Sequence, residues 1–171
     1  MNMKSAVCIF IMIALFWITP CTLAAQDPDE SVIDSFISRQ AHREHGEEYR
    51  NARQVVTGEL THDGIPDTVV LYTIEGQDGT NNYIQYLAVF VRSKGVLAAE
   101  GYAEVGGKSY RTIELISVDD HTIHLQTLNY TQNDPACCPS KKGETRYILK
   151  GHKLRELKRP HAQGRHNPQI Y

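Results

Sequence analysis

The feature that most constrains the fold is a series of short, strand-like segments separated by turns. Runs rich in β-branched and aromatic residues alternate with Gly, Asp, Asn and Ser about every eight to twelve residues, which is typical of antiparallel β domains. We therefore predict a mainly β fold: a single antiparallel β domain of seven or eight strands. The segments predicted as strands are 53–60, 68–74, 83–92, 96–105, 110–118, 122–130, 144–150 and 152–158.

One amphipathic α-helix is predicted before the strands, at about residues 29–45. Asp29 or Ser31 is available to cap its start. We expect this helix and the strands to form one β-rich domain over residues 26–158. Residues 159–171 are polar and contain two prolines, so they are predicted to form a disordered C-terminal tail. The apolar positions that recur at helical spacing are Val32, Ile33, Phe36 and Ile37.

The first 25 residues have the pattern of a secretory signal peptide. Lys4 supplies a positive charge, residues 6–18 are apolar and uncharged, and small residues precede Gln26. The apolar run is shorter than the ~20 residues that a membrane-spanning helix needs. The protein is therefore predicted to be exported, and periplasmic or secreted. A lipid anchor on Cys21 is the weaker alternative, because Pro20 stands where a lipoprotein signal has a small residue.

Two adjacent cysteines, Cys137 and Cys138, remain after removal of the signal peptide, which takes Cys8 and Cys21 with it. In the oxidising environment that an exported protein meets, the pair has three alternatives: a vicinal disulfide, an intermolecular bridge or two free thiols. We assign Cys137 and Cys138 as the disulfide-forming residues. A redox role is disfavoured because the C-x-x-C spacing is missing and prolines flank the pair.

The charge and the motifs disfavour two classes of function. The mature chain has 17 basic and 20 acidic residues, which is close to neutral, so a basic nucleic-acid-binding face is not expected. Catalysis has little support, since the G-x-S-x-G nucleophile elbow does not occur. His121 and His124 are three apart on a predicted strand and should point to opposite faces, which makes them poor partners for one metal.

The segment from Gly58 to Tyr72, GELTHDGIPDTVVLY, has the oxygen-bearing side chains of a candidate calcium loop. Calcium takes six to eight oxygen ligands, and a glycine allows the sharp turn that such a loop needs. The alternative is a strand–turn–strand joint in which Asp63 and Gly64 form the turn and Asp67 hydrogen-bonds the local backbone. Val70 at the twelfth position excludes an EF-hand. The candidate metal ligands are Glu59, Thr61, Asp63 and Asp67.

The segment 59–70 resembles the Asp-Leu-Asn-Gly-Asp-Gly-x-x-Asp segment of FG-GAP/VCBS-type β repeats. In that family the acidic positions bind calcium, so the resemblance implies calcium as a cofactor at the four candidate ligands. The sequence departs from the family pattern at three positions: Glu59 replaces aspartate, Thr61 replaces asparagine and His62 replaces glycine.

A broader resemblance covers most of the mature chain. The leading helix, the β-rich body and the DPACCPS motif at 134–140 before a final hairpin resemble LppP/LprE-type exported bacterial lipoproteins. The double-cysteine–proline motif is the specific part of this resemblance, which implies an envelope location and no particular activity. Small exported β proteins of this general kind include inhibitors and immunity proteins, an analogy of fold and compartment alone.

The leading functional hypothesis is a non-enzymatic periplasmic binding module that acts on another protein of the cell envelope, as an inhibitor or immunity-type protein. Its predicted contact surface is the loops Gln77–Asn82 and Thr131–Lys142, together with neighbouring tyrosines. The alternatives are a small cell-envelope hydrolase and a structural envelope lipoprotein. Clustered carboxylates or histidines in a cleft would favour the hydrolase, and an exposed tyrosine surface would favour binding.

Overall fold

The computed structural model describes residues 27–157, so the predicted signal peptide and the predicted tail from 159 lie outside it. The described chain begins with helix α1, Pro28–Arg43. Asp27 caps this helix, since its carboxylate accepts a hydrogen bond from the Asp29 amide at 2.9 Å. The predicted caps, Asp29 and Ser31, are therefore wrong. Pro28 takes the first helical position, where its fixed φ and missing N–H cost nothing, and this moves the cap one residue earlier.

Nine strands follow the helix and form one antiparallel sheet in a single domain, which confirms the predicted mainly β fold. The strand missed by the sequence is β1, which consists of two glutamates without any β-type pattern. The strands are β1 (Glu47–Glu48), β2 (Gln54–Gly58), β3 (Asp67–Glu75), β4 (Tyr83–Ser93), β5 (Val96–Gly107), β6 (Arg111–Asp119), β7 (Thr122–Asn129), β8 (Lys141–Lys150) and β9 (Lys153–Glu156).

The sheet consists of two halves that are joined at one point. In the first half-sheet, β1 and β2 both pair with β3, which continues to β4 and β5. In the second half-sheet, β6 to β9 pair in chain order. Only Gly107 and Arg111 pair across the junction between β5 and β6. The second half-sheet closes over the first, so that β6 contacts β2 and β9 contacts β5.

Two apolar clusters fill this arrangement. Between the half-sheets lie Val69, Leu87, Ile113 and Leu125 with their neighbours. On the other face of the first half-sheet, α1 packs its buried side onto β3, β4 and β5. Consequently β3 and β4 are buried on both faces and read as continuous apolar runs. Burial of each large aliphatic side chain contributes about 1.5–3 kcal/mol.

The strand register gives the domain two ends, which we call the loop end and the turn end. The loop end comprises residues 76–82, 108–110 and 130–140, because the strands that flank these segments pair in sequence at their termini. The turn end comprises residues 59–66, 94–95, 120–121 and 151–152. Among residues 27–157, no helix combines the length and the hydropathy that a membrane span requires.

Candidate functional site

The two loops that were predicted as a contact surface both lie at the loop end. Loop Gln77–Asn82 joins β3 to β4, and the second loop joins β7 to β8. The short turn 108–110 lies between them in the register, and Lys108 Nζ donates to the Asn81 carbonyl oxygen at 3.2 Å. The second loop is shorter than predicted, because β8 begins at Lys141 and pairs there with Asn129.

The loop 130–140 is organised around the carboxylate of Asp134. Asp134 Oδ2 accepts hydrogen bonds from the amides of Thr131 at 2.8 Å and Ser140 at 2.9 Å, and Oδ1 accepts the Ser140 hydroxyl at 2.8 Å. The hydrogen bonds from Thr131 and Ser140 lower the pKa of Asp134 to about 2. Tyr130 Oη donates to the Ala136 carbonyl at 2.7 Å. A charged side chain therefore holds an otherwise exposed loop in shape at neutral pH.

The adjacent cysteines lie in this loop and both are exposed. Their Sγ atoms are 2.24 Å apart, which is a disulfide distance. The Cys138 amide donates to the Pro135 carbonyl oxygen at 2.9 Å, so a turn leads into the pair. Of the three alternatives that the sequence left open, the vicinal disulfide is the one that matches this geometry.

The loop Gln77–Asn82 is also held by its own side chains. Gln77 is buried and its Nε2 donates to the Ile74 carbonyl at 2.9 Å, while Thr80 Oγ1 donates to the Gln77 carbonyl at 2.7 Å. Asp78 adopts the left-handed conformation, with φ of 51°, and its Oδ1 lies 2.9 Å from His45 Nδ1. The tip of the loop is exposed, whereas its base is fixed to β3.

Some tyrosines are buried and some lie at the loop end, while Tyr49 and Tyr102 are 46% and 47% exposed elsewhere on the domain. Tyr72 and Tyr86 are core residues, with ring centroids 5.5 Å apart beneath α1. Tyr110 is 50% exposed at the loop end, and Tyr83 and Tyr130 flank the same end in half-buried positions. The Arg111 guanidinium lies 4.8 Å from the Tyr110 ring centroid, within cation–π distance. The exposed tyrosine of this group is therefore held by a cation beside it.

Beneath the loop end lies an ion pair between buried Arg111 and the more exposed Glu156, which sequence reasoning missed. Arg111 is only 8% exposed, and its guanidinium donates to Glu156 at 3.0 Å, to Tyr147 Oη at 3.0 Å and to the Val105 carbonyl at 2.6 Å. Glu156 also accepts hydrogen bonds from Thr145 and Tyr147. The pair ties the first residue of β6 to the last of β9. A charged residue at a strand start is common, so the sequence carried no signal for it.

The protonation equilibria of this cluster favour the ion pair. Partial burial acts to raise the pKa of Glu156, but the hydrogen bonds from Arg111 and Thr145 outweigh it, and the pKa lies below its ordinary value. Burial raises the pKa of Tyr147, and the neighbouring charge of Glu156 adds to this effect. Tyr147 therefore stays a neutral hydrogen-bond donor to the charged carboxylate at physiological pH.

The predicted calcium segment lies at the turn end, and its four candidate ligands are only partly brought together. Asp67 is fully buried; its carboxylate accepts hydrogen bonds from the Leu60 amide at 3.0 Å and from Thr61 Oγ1 at 3.3 Å. Asp67 also accepts the Arg92 amide at 3.3 Å. Glu59 and Asp63 point to other partners. Asp67 thus hydrogen-bonds the local backbone, as the strand–turn–strand alternative requires.

Glu59 and Asp63 are engaged in local hydrogen bonds of their own. Asp63 Oδ1 accepts the Ile65 amide at 2.8 Å, and Glu59 accepts the His62 amide. Glu59 Oε2 also lies 2.9 Å from His121 Nδ1. Among the residues that the structure describes, no group of three or more His, Cys, Asp or Glu side chains is arranged to hold a metal ion. Calcium binding at these residues stays a prediction.

The rings of His62 and His121 stack at the turn end, with centroids 3.5 Å apart. His121 lies in the turn between β6 and β7 with φ of 55°, so its predicted position on a strand opposite His124 is wrong. The turn consists of residues 120 and 121, because β6 ends at Asp119 and β7 begins at Thr122. Sequence spacing alone could not bring His62 and His121 together, because they lie on different half-sheets.

A shallow groove of about 710 Å³ lies on the outer face of the second half-sheet. The register places Glu114 beside Gln126 and Gln126 beside Glu144. The two glutamates are thus two strands apart, about 10 Å between Cα atoms. The groove therefore has two carboxylates facing a common polar surface. Its other lining residues include Thr112, Leu128 and Lys142.

Comparisons with known proteins leave the chain without an assigned family. No family model matches it, and the comparisons found no matching curated protein or solved structure. The resemblances to FG-GAP/VCBS-type repeats and to LppP/LprE-type lipoproteins stay predictions.

Proposed function

We propose that this protein is an exported, non-enzymatic binding module that contacts another protein of the cell envelope through its loop end. The observation that carries the proposal is the shared location of two loops that are almost fifty residues apart in the chain: the strand register places both at one end of the sheet. Each loop is held by internal hydrogen bonds, and Tyr110 stands exposed between them.

Loop rigidity supports binding on energetic grounds. Association costs about 0.5–1.5 kcal/mol for each flexible side chain that it immobilises, so a surface that is already ordered loses less on binding. Asp134 and Gln77 order the two loops from within, and exposed tyrosine adds amphipathic contact area at low entropic cost. The partner would be blocked or buffered sterically, without any chemical step.

Site-specific photocrosslinking in the producing cells tests the proposal. A photoreactive residue at Asn133 or Asn81 should give a discrete crosslinked species with a partner protein, because both side chains are exposed at the loop end. The matched control is Val96, which is 67% exposed at the start of β5, at the turn end. Equal crosslinking from Val96, or none from either loop position, would contradict the proposal.

A small envelope hydrolase is the second candidate, and the groove on the second half-sheet is the observation that favours it. Glu114 and Glu144 face this groove from strands on either side of β7. Acid–base hydrolysis of glycosides uses two carboxylates that lie about 5–9.5 Å apart. Clearing of a cell-wall suspension by the protein, lost in both Glu114→Gln and Glu144→Gln, would establish the hydrolase. We expect no clearing.

A further inference from the structure

The outer face of β8 and β9 is strongly basic, although the mature chain is nearly neutral. Residues 141–157 contain six Lys or Arg residues and two acidic ones, whereas residues 27–140 contain eight basic and eighteen acidic residues. Alternation along the strands, with Thr145 and Tyr147 buried inside, directs the even-numbered positions of β8 outward. The exposed basic residues of this outer face, which we call the basic face, are Lys142, Arg146, Lys150, Lys153 and Arg155. Glu144 lies on the same face between Lys142 and Arg146, so the cations outnumber the carboxylate without excluding it.

The basic face concentrates cationic side chains that form no ion pair within residues 27–157, a property that it shares with the scattered residues Arg39, Arg43, Lys94 and Lys108. Arg50, Arg53, Arg92 and Arg111 each form ion pairs with Asp or Glu. None of the five basic-face residues takes part in the ion pairs found among residues 27–157. Their charges are therefore exposed to solvent and to any partner.

The strand register places like charges of the basic face opposite each other, which by itself disfavours folding. Lys150 lies directly opposite Lys153 on the neighbouring strand. Like charges in directly opposed positions destabilise an antiparallel pair. Departures of this kind from what favours the fold are found mostly at functional sites. An anionic partner would relieve the repulsion.

Protection of the sheet edge does not account for this pattern. Lysines on an edge strand discourage pairing with other chains, and β9 ends the strand order of the sheet. This explains charge on Lys153 and Arg155. It leaves Lys142, Arg146 and Lys150 unexplained, because they lie on β8, which has paired neighbours on both sides.

We propose that the basic face binds an anionic lipid surface and so holds the exported domain against a membrane. Three features favour lipid over an acidic protein. The face is open and shallow, three of its five cations are lysines, which act as point charges without directional fit, and the adjoining outer positions Ile116 and Leu128 are 44% and 36% exposed aliphatic side chains. Each Lys or Arg near an anionic bilayer strengthens attachment, and the effect falls off within a Debye length. The inference is independent of the loop end.

Vesicle co-sedimentation of residues 26–171 tests the proposal. We expect partition onto phosphatidylcholine vesicles that contain about 30% phosphatidylglycerol, none onto pure phosphatidylcholine, and loss at about 0.5 M salt. The variant Arg146→Glu/Lys150→Glu should lower the partition coefficient roughly 30-fold, since two favourable contacts are removed. Glu at 150 would face Lys153 with opposite charge, so the thermal midpoint should not fall, which separates lost binding from lost folding.

The matched control is Arg39→Glu/Lys94→Glu, which changes the net charge equally but lies on α1 and at the turn end. Its partition should stay within about twofold of the unaltered protein. Absence of partition, or an equal loss in the control, would overturn the proposal. So would partition that survives in Arg146→Glu/Lys150→Glu, since another part of the chain would then carry it. Binding of soluble polyglutamate without binding of vesicles would assign the face to an acidic protein and would also overturn it.

Discussion

Asp67 and Asp134 each order a neighbouring loop in the same way, at opposite ends of the domain. Each carboxylate accepts three hydrogen bonds and thereby fixes the loop beside it. Asp67 is fully buried at the turn end, whereas Asp134 lies in an exposed loop at the loop end. The two carboxylates thus accept the same number of hydrogen bonds, but one is surrounded by protein and the other lies close to solvent.

The difference shows how burial decides what a hydrogen-bonded carboxylate does. If a buried carboxylate is removed, its amide partners lose their bonds where water cannot replace them, and the whole domain is destabilised. If an exposed carboxylate is removed, water takes its place, and only the local shape changes. The turn end is therefore built for stability, and the loop end can vary without loss of the fold.

The largest expected effect is on Asp67. Asp67→Ala should lower the free energy of unfolding by about 3 kcal/mol, because the Leu60 amide is left unbonded in the core. Urea unfolding followed by circular dichroism measures this. Asp63→Ala is the control, since its carboxylate accepts one exposed amide; it should cost less than about 1 kcal/mol. Equal losses from the two variants would refute the role of burial.

Arg111 tests whether burial or location in the domain determines the loss of stability on substitution, because it is a buried charged residue that lies under the loop end. Arg111→Met should lower the free energy of unfolding by about 2 kcal/mol, below the full cost of breaking a buried pair because Glu156 is partly exposed. Lys108→Met, on the exposed turn three residues earlier, is the control and should change little. If the two substitutions lowered the free energy of unfolding by similar amounts, location at the loop end, and not burial, would determine the loss of stability.

For Asp134 we expect a local effect. Asp134→Ala should leave the urea midpoint unchanged and speed hydrogen exchange at the Thr131 and Ser140 amides, whose acceptor is removed. In the unaltered protein the pKa is depressed, so the loop order is complete above the ordinary value of 3.8 and is lost as pH falls through about 2. The amide shifts of Thr131 and Ser140 should titrate accordingly by NMR. A titration midpoint near pH 3.8 would contradict the role of the Asp134 carboxylate in ordering this loop.

The smallest expected effect is that of calcium. The Asp67 carboxylate is already occupied by two backbone amides and the Thr61 hydroxyl, so we expect no rise in the thermal midpoint of residues 26–171 when calcium replaces a chelator. A clear rise that is lost in Asp63→Ala would show that the turn end rearranges into a metal loop. Such a rise would also contradict the interpretation of this region as a strand–turn–strand joint.

Much of the fold could be predicted from the sequence because the strands carry their own pattern. The double-sided burial of β3 and β4 appears as unbroken apolar runs, and the alternation in β7 appears as Ile123, Leu125 and polar residues between them. By contrast, β1 consists of Glu47 and Glu48, whose pairing is set by neighbouring β3 and leaves no local trace. The presence of a strand can be predicted from its local sequence. The closure of one half-sheet over the other depends on contacts between distant segments.

The candidate site was less predictable for the same reason. The two loops were recognisable from turn residues, yet their location at the same end of the domain depends on the whole register. The contacts of Arg111 with Glu156 and of His62 with His121 join residues from distant segments. The near-neutral total charge gave no expectation of a basic face, because the total conceals the concentration of basic residues in 141–157 and the outward alternation that makes them a face required the strand bounds.

The junction of β5 and β6, with its single pair of Gly107 and Arg111, has a consequence for how the chain reaches this fold. Within each half-sheet, most strands pair with a neighbour in sequence, so these contacts close short loops at low entropic cost. The contacts of β2 with β6 and of β5 with β9 close long ones. The two meanders can therefore form early and dock late, and weak docking would speed unfolding without slowing folding.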